Sequence, residues 1–285
     1  GESGGTLQRN GTRGWESRDL SATPWRHAAL GDFDNDGDPD LVALTAEGLT
    51  LYRNRRTAGF TPEPITTPPG ATALFPGDFD DDGFDDLAVG VYGEVWTGVA
   101  GGNHGAVHLF YGSPSGLDGT RDLLFGEHQV NGVREDGDRF GEALAVGDFD
   151  SDGHADIAVG VPGAVINGDV DAGSVHVLYG SANGFRTDND DVFDGDSAGI
   201  AGDAEPDDRF GSVLAAGDFD GDGFDDLAIG APAEAIGSAS HAGAFWILYG
   251  TAGGLTTSGS DDFNQDSTGV PTGAQDPAGK LLEAI

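Results

Sequence analysis

Short apolar runs separated by acidic, glycine-rich turns recur along the whole chain. In one unit they read A-L-A-V-G-D-F at Ala143 to Phe149, D-I-A-V-G-V at Asp156 to Val161 and S-V-H-V-L-Y-G at Ser174 to Gly180. Alternating or unbroken apolar runs of this length, bounded by Gly and Asp, predict strands. The order is the same each time: a small-residue strand, an acidic loop, an apolar strand, a variable connection, a third strand, and a polar segment that holds a fourth. The acidic loops begin at Asp32, Asp78, Asp148 and Asp218, which are 46, 70 and 70 residues apart. A repeat of this size predicts a solenoid or propeller, and four antiparallel strands repeated radially make a propeller blade. The expected fold is therefore all-β: a β-propeller of four-stranded antiparallel blades, four evident and a fifth shared or partial.

The ends support the fifth. Gly5 to Trp15 resembles Leu49 to Phe60, outer-strand sequence, whereas Asp276 to Ala284 lines up with Asp208 to Ala216, inner-strand sequence. A single domain over 1–285 is expected, with outer strands of a partial blade at 1–22, blades at 23–69, 70–135, 136–205 and 206–270, and an inner strand at 271–285. Strands shared between the termini would close a ring and remove exposed edges. Phe33, Phe79, Phe149 and Phe219, at loop position 2, alternate with acidic residues and are expected to point into the packing between blades.

The acidic loops carry specific chemistry. In G-D-F-D-G-D-G-F-D-D-L-A-I-G at Gly217 to Gly230, Asp218, Asp220, Asp222 and Asp226 occupy positions 1, 3, 5 and 9, with Gly223 at the bend. The other copies are Asp32, Asp34, Asp36 and Asp40; Asp78, Asp80, Asp82 and Asp86; and Asp148, Asp150, Asp152 and Asp156. Ca²⁺ is a hard cation that takes six to eight oxygens, so a tight loop that offers alternate carboxylates and a carbonyl near position 7 suits it. The position-7 carbonyls belong to Asp38, Phe84, His154 and Phe224. An EF-hand is excluded, because it needs a Glu at position 12 and a helix after it. Here position 12 is Ala43, Val89, Val159 or Ile229, inside a strand pattern.

Composition narrows the partners. The net charge of −37 repels phosphate and argues against nucleic acid or an anionic membrane. Four Ca²⁺ ions would bring it to −29, so much acidity remains as a solvated surface. With no cysteine, disulfides contribute nothing. No apolar run reaches transmembrane length. The absence of methionine marks residue 1 as something other than a translational start. These features point to a processed or excised piece of a secreted or cell-surface protein, bathed in extracellular calcium.

The third and fourth repeats resemble FG-GAP repeats of the integrin α-subunit propeller. Phe140-Gly141, the acidic loop and Gly160-Val161-Pro162 carry the likeness in one, and Phe210-Gly211, the loop and Gly230-Ala231-Pro232 in the other. The second repeat keeps the loop and G-V-Y-G at Gly90 to Gly93 but has Gly70-Ala71 in place of Phe-Gly. The first, with D-N-D-G-D-P-D-L-V-A-L, is similar to the shorter VCBS repeat. The resemblance implies a propeller with Ca²⁺ in hairpin loops on one face and partners on the other. It does not imply integrin function, since no R-G-D occurs and integrin-like propellers have seven blades.

The variable connections differ between repeats, as binding loops on a rigid scaffold do. Tyr92, Trp96 and His104 in one of them are candidates to stack on a sugar or anchor a protein. The column His108, His176 and Trp246 in the third strand reads as packing. Carboxylates before each Phe-Gly (Glu135 and Asp138; Glu205, Asp207 and Asp208) read as a turn with an ion pair rather than an acid–base pair. The expected function is a non-enzymatic, lectin-like or adhesion module that binds an extracellular protein or glycan and is stabilised by about four Ca²⁺ ions. The alternatives are the propeller of a secreted carbohydrate- or lipid-active enzyme, or a structural subunit of a larger assembly.

Overall fold

The computed structural model describes residues 6–11, 14–19, 24–56, 59–66, 70–96, 101–117, 122–130, 132, 135–182, 184–185, 190–264 and 267. An antiparallel hairpin, β1 (Thr6–Gly11) and β2 (Gly14–Asp19), comes first. Four four-stranded antiparallel sheets follow. They are β3 (Trp25–Gly31), β4 (Asp40–Thr45), β5 (Gly48–Asn54) and β6 (Phe60–Ile65); β7 (Ala73–Gly77), β8 (Asp86–Gly90), β9 (Val107–Phe110) and β10 (Asp122–Phe125); β11 (Leu144–Gly147), β12 (Asp156–Val161), β13 (Ser174–Leu178) and β14 (Asp191–Asp194); and β15 (Val213–Gly217), β16 (Asp226–Ala231), β17 (Ala244–Tyr249) and β18 (Thr256–Asn264). Within each sheet the strands lie in chain order, so every sheet is a simple meander. These are the blades of a β-propeller. The inner strand expected at 271–285 lies outside the described residues.

The core sits between sheets. Strands β8, β12 and β16 are buried along their whole length, which explains why their sequences are apolar without interruption: both faces are covered. Alternation still assigns the faces. Ile157 and Val159 pack toward the second sheet with Val107, Leu109 and Phe125, whereas Ala158 packs toward the fourth with Leu227 and Ile229.

Phe33, Phe79 and Phe149 are buried as expected. Each is covered from the sheet that follows: Phe33 clusters with Leu87 and Phe110, the Phe185 ring lies tilted 5.0 Å from Phe79, and Phe149 clusters with Leu227 and Leu248. Phe219 departs from the expectation, at 49% exposed. It belongs to the last described sheet, and no later sheet covers it among the described residues.

Successive sheets are also clamped through backbone. Phe140 donates its N–H to the His104 carbonyl of the preceding sheet at 3.2 Å, and Phe210 to Ala172 at 2.8 Å. This close docking explains two glycines. A Cβ at Gly160 would lie 2.1 Å from the Gly211 carbonyl oxygen, and one at Gly90 would lie 2.2 Å from that of Gly141. Each contact joins a glycine at the end of the second strand to the Phe-Gly turn of the next blade. Gly160→Ala is expected to destabilise the calcium-loaded protein by at least about 2 kcal/mol through overpacking against rigid backbone, measured by urea denaturation.

Candidate functional site

Each aspartate loop is built before any ion enters it. The position-1 carboxylate caps its own turn: Asp32 Oδ1 accepts from Asp36 N–H at 3.0 Å and Oδ2 from Gly37 N–H at 2.9 Å, and Asp78, Asp148 and Asp218 do the same. The position-6 glycines make the bend with φ from +83° to +96°, a region where a side chain is strained. The position-9 aspartates are buried and tie three segments together. Asp156 Oδ2 accepts from Phe149 N–H at 2.8 Å and Oδ1 from Gly180 N–H at 2.8 Å, and Asp86 and Asp226 repeat the pattern. Burial pushes Asp86 and Asp156 up to about 7, and Asp40 to about 6.

The remaining lone pairs converge. Carboxylate oxygens of Asp78, Asp80 and Asp86 lie within 4.8 Å of one another, as do those of Asp148, Asp150 and Asp156, of Asp218, Asp220 and Asp226, and of Asp32, Asp34 and Asp36. Oxygens Oδ1 of Asp34 and Oδ2 of Asp40 are buried without a hydrogen-bond partner. A hard divalent cation fits this donor set, because it replaces like-charge repulsion with coordination. The first loop differs from the others in carrying arginines. Arg53 and Arg55 each lie 3.7 Å from Asp34 Oδ2, and Arg56 pairs with Asp38. Fixed positive charge there competes with a metal ion.

The position-8 residues perform a task that motif reading missed. Asp85 Oδ2 accepts from Asp32 N–H at 2.7 Å, and Asp225 Oδ2 from Asp148 N–H at 2.9 Å. Each bond runs from one loop to the loop of the preceding sheet. The D-D pairs at Asp85-Asp86 and Asp225-Asp226 were visible in sequence, but their target was not. In the third loop this position is Ala155, so the bond is missing between the second and third sheets.

Tyr92, Trp96 and His104 are not assembled into one binding surface. His104 is fully buried, because its backbone supports the Phe140 turn. The Trp96 indole N–H donates to the Gly105 carbonyl at 2.9 Å, and the ring meets His128 edge-on at 4.5 Å. Trp96 is half-buried, and Tyr92, 36% exposed, is the most open of the three.

The acidic turns hold carboxyl pairs in addition to the expected ion pair. Asp138 and Asp208 accept the backbone N–H of Glu135 and Glu205, which closes each turn. Arg139 lies 3.4 Å from both Glu142 and Asp171. Behind the turns, Asp138 faces Glu127, and Asp208 faces Glu234. Burial first and the neighbouring carboxylate second push Asp138 and Glu234 up to about 8. Glu127 and Glu234 come from different parts of their repeats, so periodicity did not reveal the pairing.

Comparison with known proteins agrees with this geometry. The FG-GAP-like repeat matches residues 9–89, and the FG-GAP repeat matches 140–178 and 210–248, together more than half of the chain. Integrin alpha pat-2 of Caenorhabditis briggsae is 32% identical over 226 residues, 71% of this chain and 17% of that one. Phosphatidylinositol-glycan-specific phospholipase D of Rattus norvegicus is 37% identical over 120 residues, 42% of this chain and 14% of that one. The chain thus spans less than a fifth of either relative. A solved Agrocybe aegerita lectin that recognises non-reducing terminal N-acetylglucosamine superposes with a TM-score of 0.50 over 89% of this chain and 59% of its own, at 14% identity, which is a likeness of fold.

Two outcomes are expected from the site. Asp225→Ala removes a charge-assisted bond between loops and should cost about 1.5–3 kcal/mol, measured by denaturant unfolding in calcium. The carboxyl pairs set a pH dependence. Asp138 and Glu234 have values raised above those of the unfolded chain, so their contribution to stability is complete below about pH 4 and is lost as pH rises through about 8. With calcium in excess, melting temperature should fall between about pH 4 and 8, and Glu234→Gln should flatten that fall.

Proposed function

The chain belongs to the integrin-like FG-GAP repeat family, and from that premise we propose that it is a calcium-pinned propeller that serves as a binding module for an extracellular protein or glycan. The observation that carries the calcium reading is the recurrence, at one place in four sheets, of carboxylate oxygens converging within 4.8 Å. The ions would be held by Asp78, Asp80, Asp82 and Asp86; by Asp148, Asp150, Asp152 and Asp156; by Asp218, Asp220, Asp222 and Asp226; and by Asp32, Asp34, Asp36 and Asp40. The carbonyls of Asp38, Phe84, His154 and Phe224 complete the sets. Calcium supplies charge neutralisation that fixes each loop, and the chain's own residues supply everything else: the capped turn, the buried staple and the clamp to the neighbouring sheet. We assign the whole of 1–285 to one propeller domain of a secreted or cell-surface protein. No helix among the described residues is long and apolar enough to cross a membrane.

Partner contact is assigned to the connections leaving the second strands, at the opposite strand ends from the aspartates, with Tyr92 the exposed aromatic there. The likeness to a phospholipase D favours a second reading, in which the propeller accompanies a catalytic domain of a longer chain. Assay of a longer natural chain that carries this propeller against phospholipid and glycan substrates separates the two, since only the second reading expects turnover.

Calcium dependence is the direct test. A loop filled at a hundredfold excess over its dissociation constant adds about 2.7 kcal/mol. EDTA is expected to lower the melting temperature strongly and added Ca²⁺ to restore it. Calorimetry should resolve a weaker event for the arginine-bearing first loop, and Asp150→Ala should remove one ion from the stoichiometry. A melt indifferent to both EDTA and Ca²⁺ would falsify the reading.

A further inference from the structure

The flank of the fourth sheet that faces away from the third carries the fittings of a blade interface. Among the described residues nothing is seated on them. Phe219 is 49% exposed, whereas Phe33, Phe79 and Phe149 are buried. Val213, at the start of β15, is 41% exposed. A Cβ at Gly230 would meet nothing closer than the Val213 Cβ at 3.4 Å, although Gly90 and Gly160, at the same place in their strands, are each closed off by a carbonyl of the next sheet. Exposed apolar side chains grouped on a sheet face mark a contact surface.

The backbone there already has the shape that receives a turn. In the second and third sheets the receiving segment holds a side chain at positive φ, Asn103 at +54° and Asp171 at +56°, and two residues later a glycine, Gly105 at +82° and Gly173 at +91°. The carbonyl between them, of His104 or Ala172, accepts the N–H of Phe140 or Phe210. The fourth sheet repeats the shape, with His241 at +58° and Gly243 at +80°. No backbone donor among the described residues reaches the carbonyl of Ala242.

The chain that follows supplies a matching segment. Residues 276–284, D-P-A-G-K-L-L-E-A, align with Asp208 to Ala216, the turn and first strand by which the fourth sheet docks on the third. Ala278 and Gly279 stand for Phe210 and Gly211, and Leu282 for Leu214. Alanine suffices in the first of these places. Thr72 donates its N–H to the Gly90 carbonyl as Gly141 does to that of Gly160, so Ala71 holds the place of Phe140, and it is buried in one cluster with Leu44 and Leu49 of the first sheet. Leu144 and Leu214 reach back in the same way, Leu144 clustering with Phe79 and Leu214 with Phe149. Pro277 breaks the match, because Arg139 and Arg209 hold φ of +61°, which a proline ring forbids. The likeness therefore runs from Ala278 onward.

We propose that this flank is the docking surface for the chain's own segment 278–284, which lays Leu282 over Phe219, sets the Ala278 N–H on the Ala242 carbonyl and brings the Gly279 carbonyl against Gly230. The docking rests on the assignment of 1–285 to one propeller domain. The calcium-dependent melt reads the aspartate loops and not this flank, so failure of the docking leaves the calcium reading standing.

The test uses the whole chain with calcium in excess. Gly230→Ala is expected to lower the melting temperature as Gly160→Ala does, since its Cβ would strike the docked turn; on an open flank the same change has room and is neutral or stabilising. Phe219→Ala and Leu282→Ala should each lower the melting temperature, and the double variant should fall by clearly less than the two effects added. Hydrogen exchange read by NMR should show the amides of 278–284 slowed about a hundredfold or more, and Phe219→Ala should remove that protection while its melt still responds to EDTA. A neutral Gly230→Ala, additive effects at Phe219 and Leu282, or unprotected amides in 278–284 would each overturn the proposal. So would protection that grows with protein concentration alongside a dimer in sedimentation, which would make a second copy the occupant.

Discussion

The buried carboxylate at loop position 9 is the constraint on which each sheet depends. A charge in that place costs several kcal/mol unless hydrogen bonds or a cation answer it. Asp86, Asp156 and Asp226 each receive two backbone N–H groups, one from the loop and one from the turn after the third strand. The loop, the start of the second strand and the end of the third are thereby joined at a single side chain. Burial, with the neighbouring loop carboxylates adding to it, holds Asp86 and Asp156 near 7, so a cation that keeps them ionised also keeps the staple at full strength. Metal binding and the folding of a blade are in this sense one event.

Between sheets, different forces take over. Phe-Gly turns dock their backbone onto the preceding sheet, and glycines such as Gly160 admit the approach. Asp85 and Asp225 add a bond between neighbouring loops at two of the three sheet contacts. The third contact, between the second and third sheets, has Ala155 at that position and holds an acidic cavity near the other end of the strands. The interface that lacks the loop-to-loop bond thus also holds unfilled space.

Legibility followed sequence distance. The strands, their order and the aspartate loops were readable because each depends on residues within a dozen positions and on a period that repeats. Phe33, Phe79 and Phe149 behaved as their alternation implied, but Phe219 did not, because its cover comes from a following sheet and not from its own loop. His104 read as a surface aromatic in a variable connection. It is buried because Phe140, far along the chain, bonds to its carbonyl.

The sequence by itself determined the all-β blade, the four carboxylate loops and the family, since periodicity and ligand spacing are local properties. Only the tertiary structure decided which carboxylates face one another. Glu127 meets Asp138 and His176, and Glu234 meets Asp208, across connections that share no period. Whether a charged side chain ends in water, against a cation or beside another acid is set by the packing of separate sheets, which spacing along one strand does not encode.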